Sequence, residues 1–405
     1  MIMKRFLTAS LLMITLTTAE AQTTTFARGA DISWCTEMEA DGRKFYNADG
    51  VETDIFALMK EIGMNAVRLR VWVNPTLYGY GAWCDKADVV AKAKRAHEQG
   101  LDLMIDFHYS DFFADPSNQA IPQEWKDYDL DQAKTAVADH TKEVLQALKD
   151  EGVEPKWVQV GNETNNGMMW EIGKIDWDKS GKARYANYAA LTNAGYDAVK
   201  EIVPDAFVIV HIADAYKAAE YDGWFYKEFK EAGGKFDMIG LSHYPDWDDW
   251  NSDKSGVASN KNAANSVKAL GDLFNVPVMI VETGFSDYDR EKAYNVMADL
   301  FSRTKDLPQC AGIFYWEPEV DGKWKPAYYT ALDWKAYNMG AFDTDGKPTI
   351  VMDAFKGETT GIANISTEKD TPVKWYDLQG RELRTPGKGL VIRKQGGETR
   401  KVFIP

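Results

Sequence analysis

Short apolar runs, rich in β-branched and aromatic residues, alternate with helical stretches along most of the chain, and no other feature restricts the fold as tightly. Eight runs occur, at 29–35, 65–72, 101–110, 156–163, 206–214, 236–245, 276–284 and 311–318. The intervals carry helix periodicity: Ile55, Leu58, Met59 and Ile62 share one helix face, and Gly63 stops it. Stretches ending at Gly100 and Gly152 repeat that design, and 185–204, 223–234, 262–274 and 291–304 occupy later intervals. Strands apolar on both faces and separated by helices predict a parallel sheet covered by helices. A doubly wound nucleotide-binding sheet would carry a Gly-rich loop after its first strand, and this chain has none there. The pattern therefore predicts an α/β chain whose residues 26–357 form a (β/α)8 TIM barrel.

The flanks read differently. Residues 1–21 combine Lys4 and Arg5, an apolar stretch from Phe6 to Thr17, and the small-x-small site Ala19-Glu20-Ala21. That is an export signal too short to span a bilayer, so a periplasmic, cell-surface or extracellular location is expected, with no membrane span. Over 361–405, apolar and polar residues alternate between turn signals at Gln379-Gly380, Pro386-Gly387 and Gly396-Gly397. This predicts a small C-terminal β-rich appendage, either a module or a tail packed on the barrel. A net charge of −15 opposes phosphate backbones, so no nucleic-acid partner is expected. Cys35, Cys84 and Cys310 are too few for a disulfide framework, and neither CxxC nor HExxH occurs; no metal or cofactor is expected.

In such a barrel, chemistry sits at the C-terminal strand ends. Nearly every apolar run here ends in polar or aromatic residues. They are Asp31 and Trp34; Arg68, Arg70 and Trp72; Asp106, His108, Tyr109 and Asp111; Asn162 and Glu163; His211 and Asp214; His243 and Tyr244; Glu282; Trp316 and Glu317. Glu163 after the fourth run and Glu282 after the seventh make a carboxylate pair across a cleft, the minimal equipment for glycoside cleavage. Such chemistry needs unequal pKa values, one carboxyl desolvated or near a negative neighbour, the other held ionised by cations and donors. Arg70 and Tyr244 suit the second task, and Asn162 suits a sugar hydroxyl. Each residue also has a bland explanation. Arg68 faces the same side as Arg70 and serves equally as a structural ion-pair partner, His108 as a barrel-layer histidine, and Trp316 as core. Asp106 is better placed to orient a neighbour than to react.

The motifs "GADISW" (29–34), "NAVRLRVWVNP" (65–75), "DFHYSDFFADPSNQAIPQEW" (106–125), "QVGNETNNGMMW" (159–170), "GLSHYP" (240–245) and "GIFYWEPE" (312–319) resemble glycoside hydrolase family 53. They cover the whole barrel in order. The resemblance implies a clan A retaining endo-β-1,4-galactanase, with Glu163 as acid/base, Glu282 as nucleophile, and carboxyls about 5–5.5 Å apart. It implies β-1,4-galactan (type I arabinogalactan) as substrate and a monomer without cofactor. Arg70, Asn162, Tyr244 and Trp316 match positions that shape the −1 subsite, while His108, Asp111, Trp170 and His243 fall in motifs near the cleft. Departures lie after Glu282, where no calcium-binding loop is seen, and at Val320 and Glu171, so the outer subsites are open. A mannanase or xylanase of the same clan, a non-catalytic glycan-binding barrel and a metal-dependent hydrolase using His108, His211 and Asp106 are the alternatives.

Overall fold

The computed structural model describes residues 25–79, 81–221, 223–248 and 255–356, then 374–376, 382–383, 389–395 and 398–404. The export signal read in residues 1–21 lies outside the described residues. Eight parallel strands close into a barrel: β1 (Ala27–Asp31), β2 (Ala66–Val71), β3 (Asp102–Phe107), β4 (Trp157–Val160), β5 (Phe207–Ile212), β6 (Met238–His243), β7 (Val278–Thr283) and β8 (Cys310–Trp316). β8 pairs back on β1, with Asp31 opposite Trp316, so the sheet has no edge.

Helices Ile55–Ile62, Lys86–Glu98, Leu130–Asp150 and Arg290–Thr304 begin where Asp54, Asp85, Asp129 and Asp289 accept backbone N–H groups. Lys182–Ile202 and Val257–Phe274 cover further intervals, and the interval after β5 holds two helices, Ala215–Tyr221 and Gly223–Glu231. The eighth position departs from the regular pattern. Its connection is rich in Pro, Gly and Asp, and a 3-10 turn, Ile350–Phe355, takes the outer helix's place. Phe355 packs edge-on to Phe301 at 4.7 Å.

Period-two alternation makes the barrel interior two-tiered. The lower tier is apolar: Ala27, Ala66, Met104, Trp157, Ile209, Met238, Met279 and Phe314 form one buried cluster. The Phe314 ring sits where a Cβ on Gly29 would be, so that position tolerates no side chain. Two residues further along the same faces come Arg68, Asp106, Gln159 and His211, about 6.6 Å higher at ~3.3 Å per residue. This polar tier is fully buried, and each member bonds its neighbour. It forms the floor of whatever opens above.

The chain divides into two compact units, the second beginning at Gly357. By itself that second unit is a four-stranded antiparallel sheet of β9 (Lys374–Tyr376), β10 (Glu382–Leu383), β11 (Gly389–Gln395) and β12 (Glu398–Ile404), in the order β10-β9-β11-β12. Among the described residues no helix is long and apolar enough to cross a membrane.

Candidate active site

A cavity of about 530 Å³ opens at the C-terminal ends of the strands. Glu163, Glu282, Asn162, His108, Ser242, Tyr244 and Trp316 line its inner part. Asp115, Asp214, Trp247, Tyr329 and the 334–338 segment complete the walls, with Trp247 and Trp334 more than two-fifths exposed.

Glu282, near the end of β7, is surrounded by donors. Arg68 Nη2 lies 2.8 Å from its Oε1, and the Tyr244 hydroxyl donates to Oε2 at 3.2 Å. The same guanidinium contacts Asp31 at 2.7 Å and Asp106 at 2.8 Å. Burial pushes the Glu282 pKa up to about 7; Arg68 is the main opposing influence, Asp106 and Asp31 raise it, and Tyr244 lowers it. Asp106 goes the other way: its carboxyl is held below the usual range despite burial, because Arg68 and His108 bind it.

Glu163 follows β4 in a left-handed backbone conformation, φ 46°, which costs a non-glycine residue about 1 kcal/mol or more. Its neighbours hold it there. Gln119 Nε2 donates to the Asn162 carbonyl at 2.8 Å, and the Glu163 N–H donates to His211 Nδ1 at 3.2 Å. No cation pairs with the Glu163 carboxyl among the described residues. Burial first, then the negative Glu282, pushes its pKa well above the carboxylate range; Asp115 and Asp214 add to this, and the nearby Ser242 hydroxyl opposes it. Two carboxyls of unequal proton affinity therefore face one cleft.

The strand-end residues divide into those that reach the cleft and those that do not. Asn162, His108, Tyr244 and Trp316 line it. Asn162 Oδ1 is taken by Arg68 at 2.8 Å and Nδ2 donates to the Ala114 carbonyl at 2.8 Å, leaving one amide proton. His108 Nδ1 accepts from Ala114 N–H at 2.9 Å, so its proton sits on Nε2, facing Asp106 at 2.9 Å. Arg70 is not the cation beside Glu282; Arg68 is. Two residues further up β2, Arg70 is sealed at 1% exposure against Glu317, with the rings of Trp34, Trp72 and Phe113 4.9–5.3 Å from its guanidinium.

Asp111 lies outside the cleft, accepting Asn74 N–H at 2.9 Å and Gln123 N–H at 2.8 Å, and so staples the long loop after β3. Trp170 is also outside; its indole donates to the Asn166 carbonyl at 3.0 Å. His243 faces the opposite way from Ser242 and meets Asn260 on the covering helix at 2.9 Å. Burial lowers its pKa to about 4, which keeps it neutral. Gln159 and Ser242 escape a reading of strand ends because they precede the terminal residues; their inward parity with Arg68 and Asp106 is the signal that marks them. Asp115, Trp247 and 334–338 come from loops without periodicity.

Cys35, Cys84 and Cys310 are buried free thiols. Among the described residues, no three His, Cys, Asp or Glu side chains are grouped so as to hold a metal ion.

Residues 27–355 match the model of glycosyl hydrolase family 53. The arabinogalactan endo-β-1,4-galactanase of Cellvibrio japonicus is 32% identical over 368 residues, 84% of this chain and 92% of that one. The family 53 catalytic domain of Ignisphaera aggregans superimposes with a TM-score of 0.69 at 27% identity, covering 82% of this chain and 95% of that one. A fungal β-1,4-galactanase structure is similar in fold, with a TM-score of 0.71 at 24% identity over 83% of this chain and all of that one. With its barrel, its paired carboxyls and a family match across the barrel, the chain belongs to glycosyl hydrolase family 53 and is a glycoside hydrolase.

Proposed function

We propose that this protein is an exported, monomeric endo-β-1,4-galactanase that cuts internal bonds of pectic galactan and type I arabinogalactan by double displacement. Glu282 is the nucleophile and Glu163 the acid/base. The observation that carries the assignment is the uneven supply of donors: Arg68 and Tyr244 both address Glu282, while Glu163 faces negative neighbours. The substrate class is supported by the similarity to the galactanase of Cellvibrio japonicus, and export by the signal pattern of residues 1–21.

The first step joins a Glu282 oxygen to the anomeric carbon as the glycosidic C–O bond breaks, and the departing oxygen takes the Glu163 proton. Arg68 favours the ionised form of Glu282 against the effect of burial, and Tyr244 holds the second carboxylate oxygen so that one lone pair faces the sugar. In the second step Glu163, now ionised, takes a proton from water while the water oxygen displaces Glu282 with net retention. Trp316, packed at 4.7 Å against Tyr337, offers a flat face to the ring, and Asn162 offers its remaining amide proton to a hydroxyl.

The test is a substrate panel followed by a product ladder. Linear potato galactan should release internal fragments of mixed length early, with far slower release from mannan and xylan. Equal or greater release from mannan or xylan would move the chain to another specificity within the same chemistry.

A further inference from the structure

The turn that carries Glu163 lacks a main-chain acceptor, and one side chain makes up for it. The ladder between β4 and β5 ends with Gln159 opposite Ile209. Beyond it, Thr164 takes the His211 carbonyl twice, through its N–H at 2.9 Å and its hydroxyl at 2.9 Å, which uses both lone pairs of that oxygen. The N–H of Glu163, in its left-handed conformation, finds no carbonyl among the described residues and points at His211 Nδ1, 3.2 Å away. Glu317, left-handed in the same way after β8, needs no such help, because its N–H donates to the Asp31 carbonyl of β1 at 2.8 Å.

A backbone amide can only donate, so Nδ1 of His211 is the lone-pair nitrogen. Gln159 Nε2 approaches the same atom at 2.9 Å. The ring proton is then on Nε2, 2.8 Å from Ser242 Oγ. The ring is sealed from solvent, and burial with the nearby Arg68 charge keeps it neutral. A protonated ring would set one N–H against another.

We infer that His211 is a positioning residue for the acid/base: its Nδ1 lone pair holds the Glu163 peptide, and through it the carboxyl, where a leaving oxygen arrives. The inference rests on the acid/base reading of Glu163. A proton donor works only within about 2.6–3.2 Å of the departing oxygen, and a misplacement of about 1 Å costs up to about 100-fold. Gln119 holds the other side of the turn, donating to the Asn162 carbonyl at 2.8 Å and the Glu163 carbonyl at 3.4 Å. The nucleophile has separate supports, Arg68 and Tyr244. Loss of the His211 contact should therefore fall on proton transfer rather than on bond formation at Glu282.

A leaving group that needs no proton separates those two. His211→Gln keeps an amide near the Nε2 position and takes the acceptor away from the Nδ1 position. Its kcat/KM should fall about 10- to 100-fold on galactan, whose leaving sugar needs the Glu163 proton. On a 2,4-dinitrophenyl galactobioside, whose phenolate leaves unaided, it should fall less than about threefold. His211→Asn, with its oxygen near the Nδ1 position, should restore galactan to within about threefold of the parent. Equal losses on the two substrates, the mark of a merely structural role, overturn the inference, as does an undiminished rate on galactan or an Asn variant no better than the Gln one. Glu163→Ala keeps the two readings apart: it should lose galactan turnover and retain kcat/KM on the aryl substrate. If it separates the substrates and His211→Gln does not, the inference alone falls. Equal losses in Glu163→Ala overturn the acid/base reading, and the inference with it. Should His211→Gln fail to fold, His211→Leu removes the same acceptor and is read by the same ratio.

Discussion

Two carboxyl pairs sit at the rim of this barrel, each served by one arginine of β2. In the cleft, Arg68 binds Glu282 and, among the described residues, Glu163 has no cation; beyond β8, Arg70 binds Glu317 and, among the described residues, Glu319 has none. The parallel extends to the backbone, since Glu163 and Glu317 both follow a strand in left-handed conformations, φ 46° and 47°. Burial and a negative partner push both unpaired members, Glu163 and Glu319, well above the carboxylate range. What separates the pairs is access. Glu163 and Glu282 line a cavity of about 530 Å³, whereas Glu317 and Glu319 are 0% and 1% exposed, and neither Glu319 carboxyl oxygen finds a hydrogen-bond partner among the described residues. A proton held by Glu163 can pass to a ligand; one held by Glu319 only neutralises a buried cluster. A raised pKa alone therefore does not mark an active site, and an open space beside it does.

The largest expected difference between the pairs is in turnover. Glu163→Gln should lower kcat on galactan by about 10²–10⁴-fold, the usual worth of a general acid, while Glu319→Gln should lower it by less than about threefold. Comparable losses in both variants would erase the distinction. Arg68→Met should come next, now in stability. It strands Asp31, Asp106 and Glu282 around a missing cation, and denaturant unfolding should show a loss of about 3–5 kcal/mol. Tyr244→Phe removes one hydroxyl from Glu282, and kcat should fall about 10-fold with stability nearly unchanged.

The smallest effect is the pH dependence carried by the sealed pair. Both carboxyls titrate above their unfolded value, so folding takes up protons. Their contribution is fully present below the unfolded pKa, about 4.3, and is lost as pH rises through the folded values. Glu319→Gln should flatten that decline, to within about 1 kcal/mol of the parent at pH 5 and relatively more stable at pH 8. A stability profile parallel to the parent's would show that Glu319 is not the group holding the proton.

Much of this was legible in the residues, for identifiable reasons. The eight strands announce themselves because each is apolar on both faces, and Glu163 and Glu282 because a carboxylate is a costly way to end such a run. Arg68 and Arg70 defeat the same logic. Alternation puts both on one face, but which reaches Glu282 is a matter of height in the barrel, about 6.6 Å per two residues, and no local pattern records height. Ser242 and His243 illustrate parity: one of two adjacent polar residues must face inward, and a register irregularity between Leu241 and Ser242 blurs which. The cleft wall at 334–338 belongs to a connection without periodicity, and only folding brings it to the carboxyls.

Covalent catalysis at Glu282 is the central claim, and the bond it forms can be caught. Incubation with a 2-deoxy-2-fluoro galactobioside bearing an activated leaving group should trap a glycosyl-enzyme. Peptide mass mapping should then place a single sugar adduct on Glu282 in the segment "VMIVETGF", with Glu163 unmodified. An adduct on Glu163, or turnover with inversion and no adduct, would contradict it.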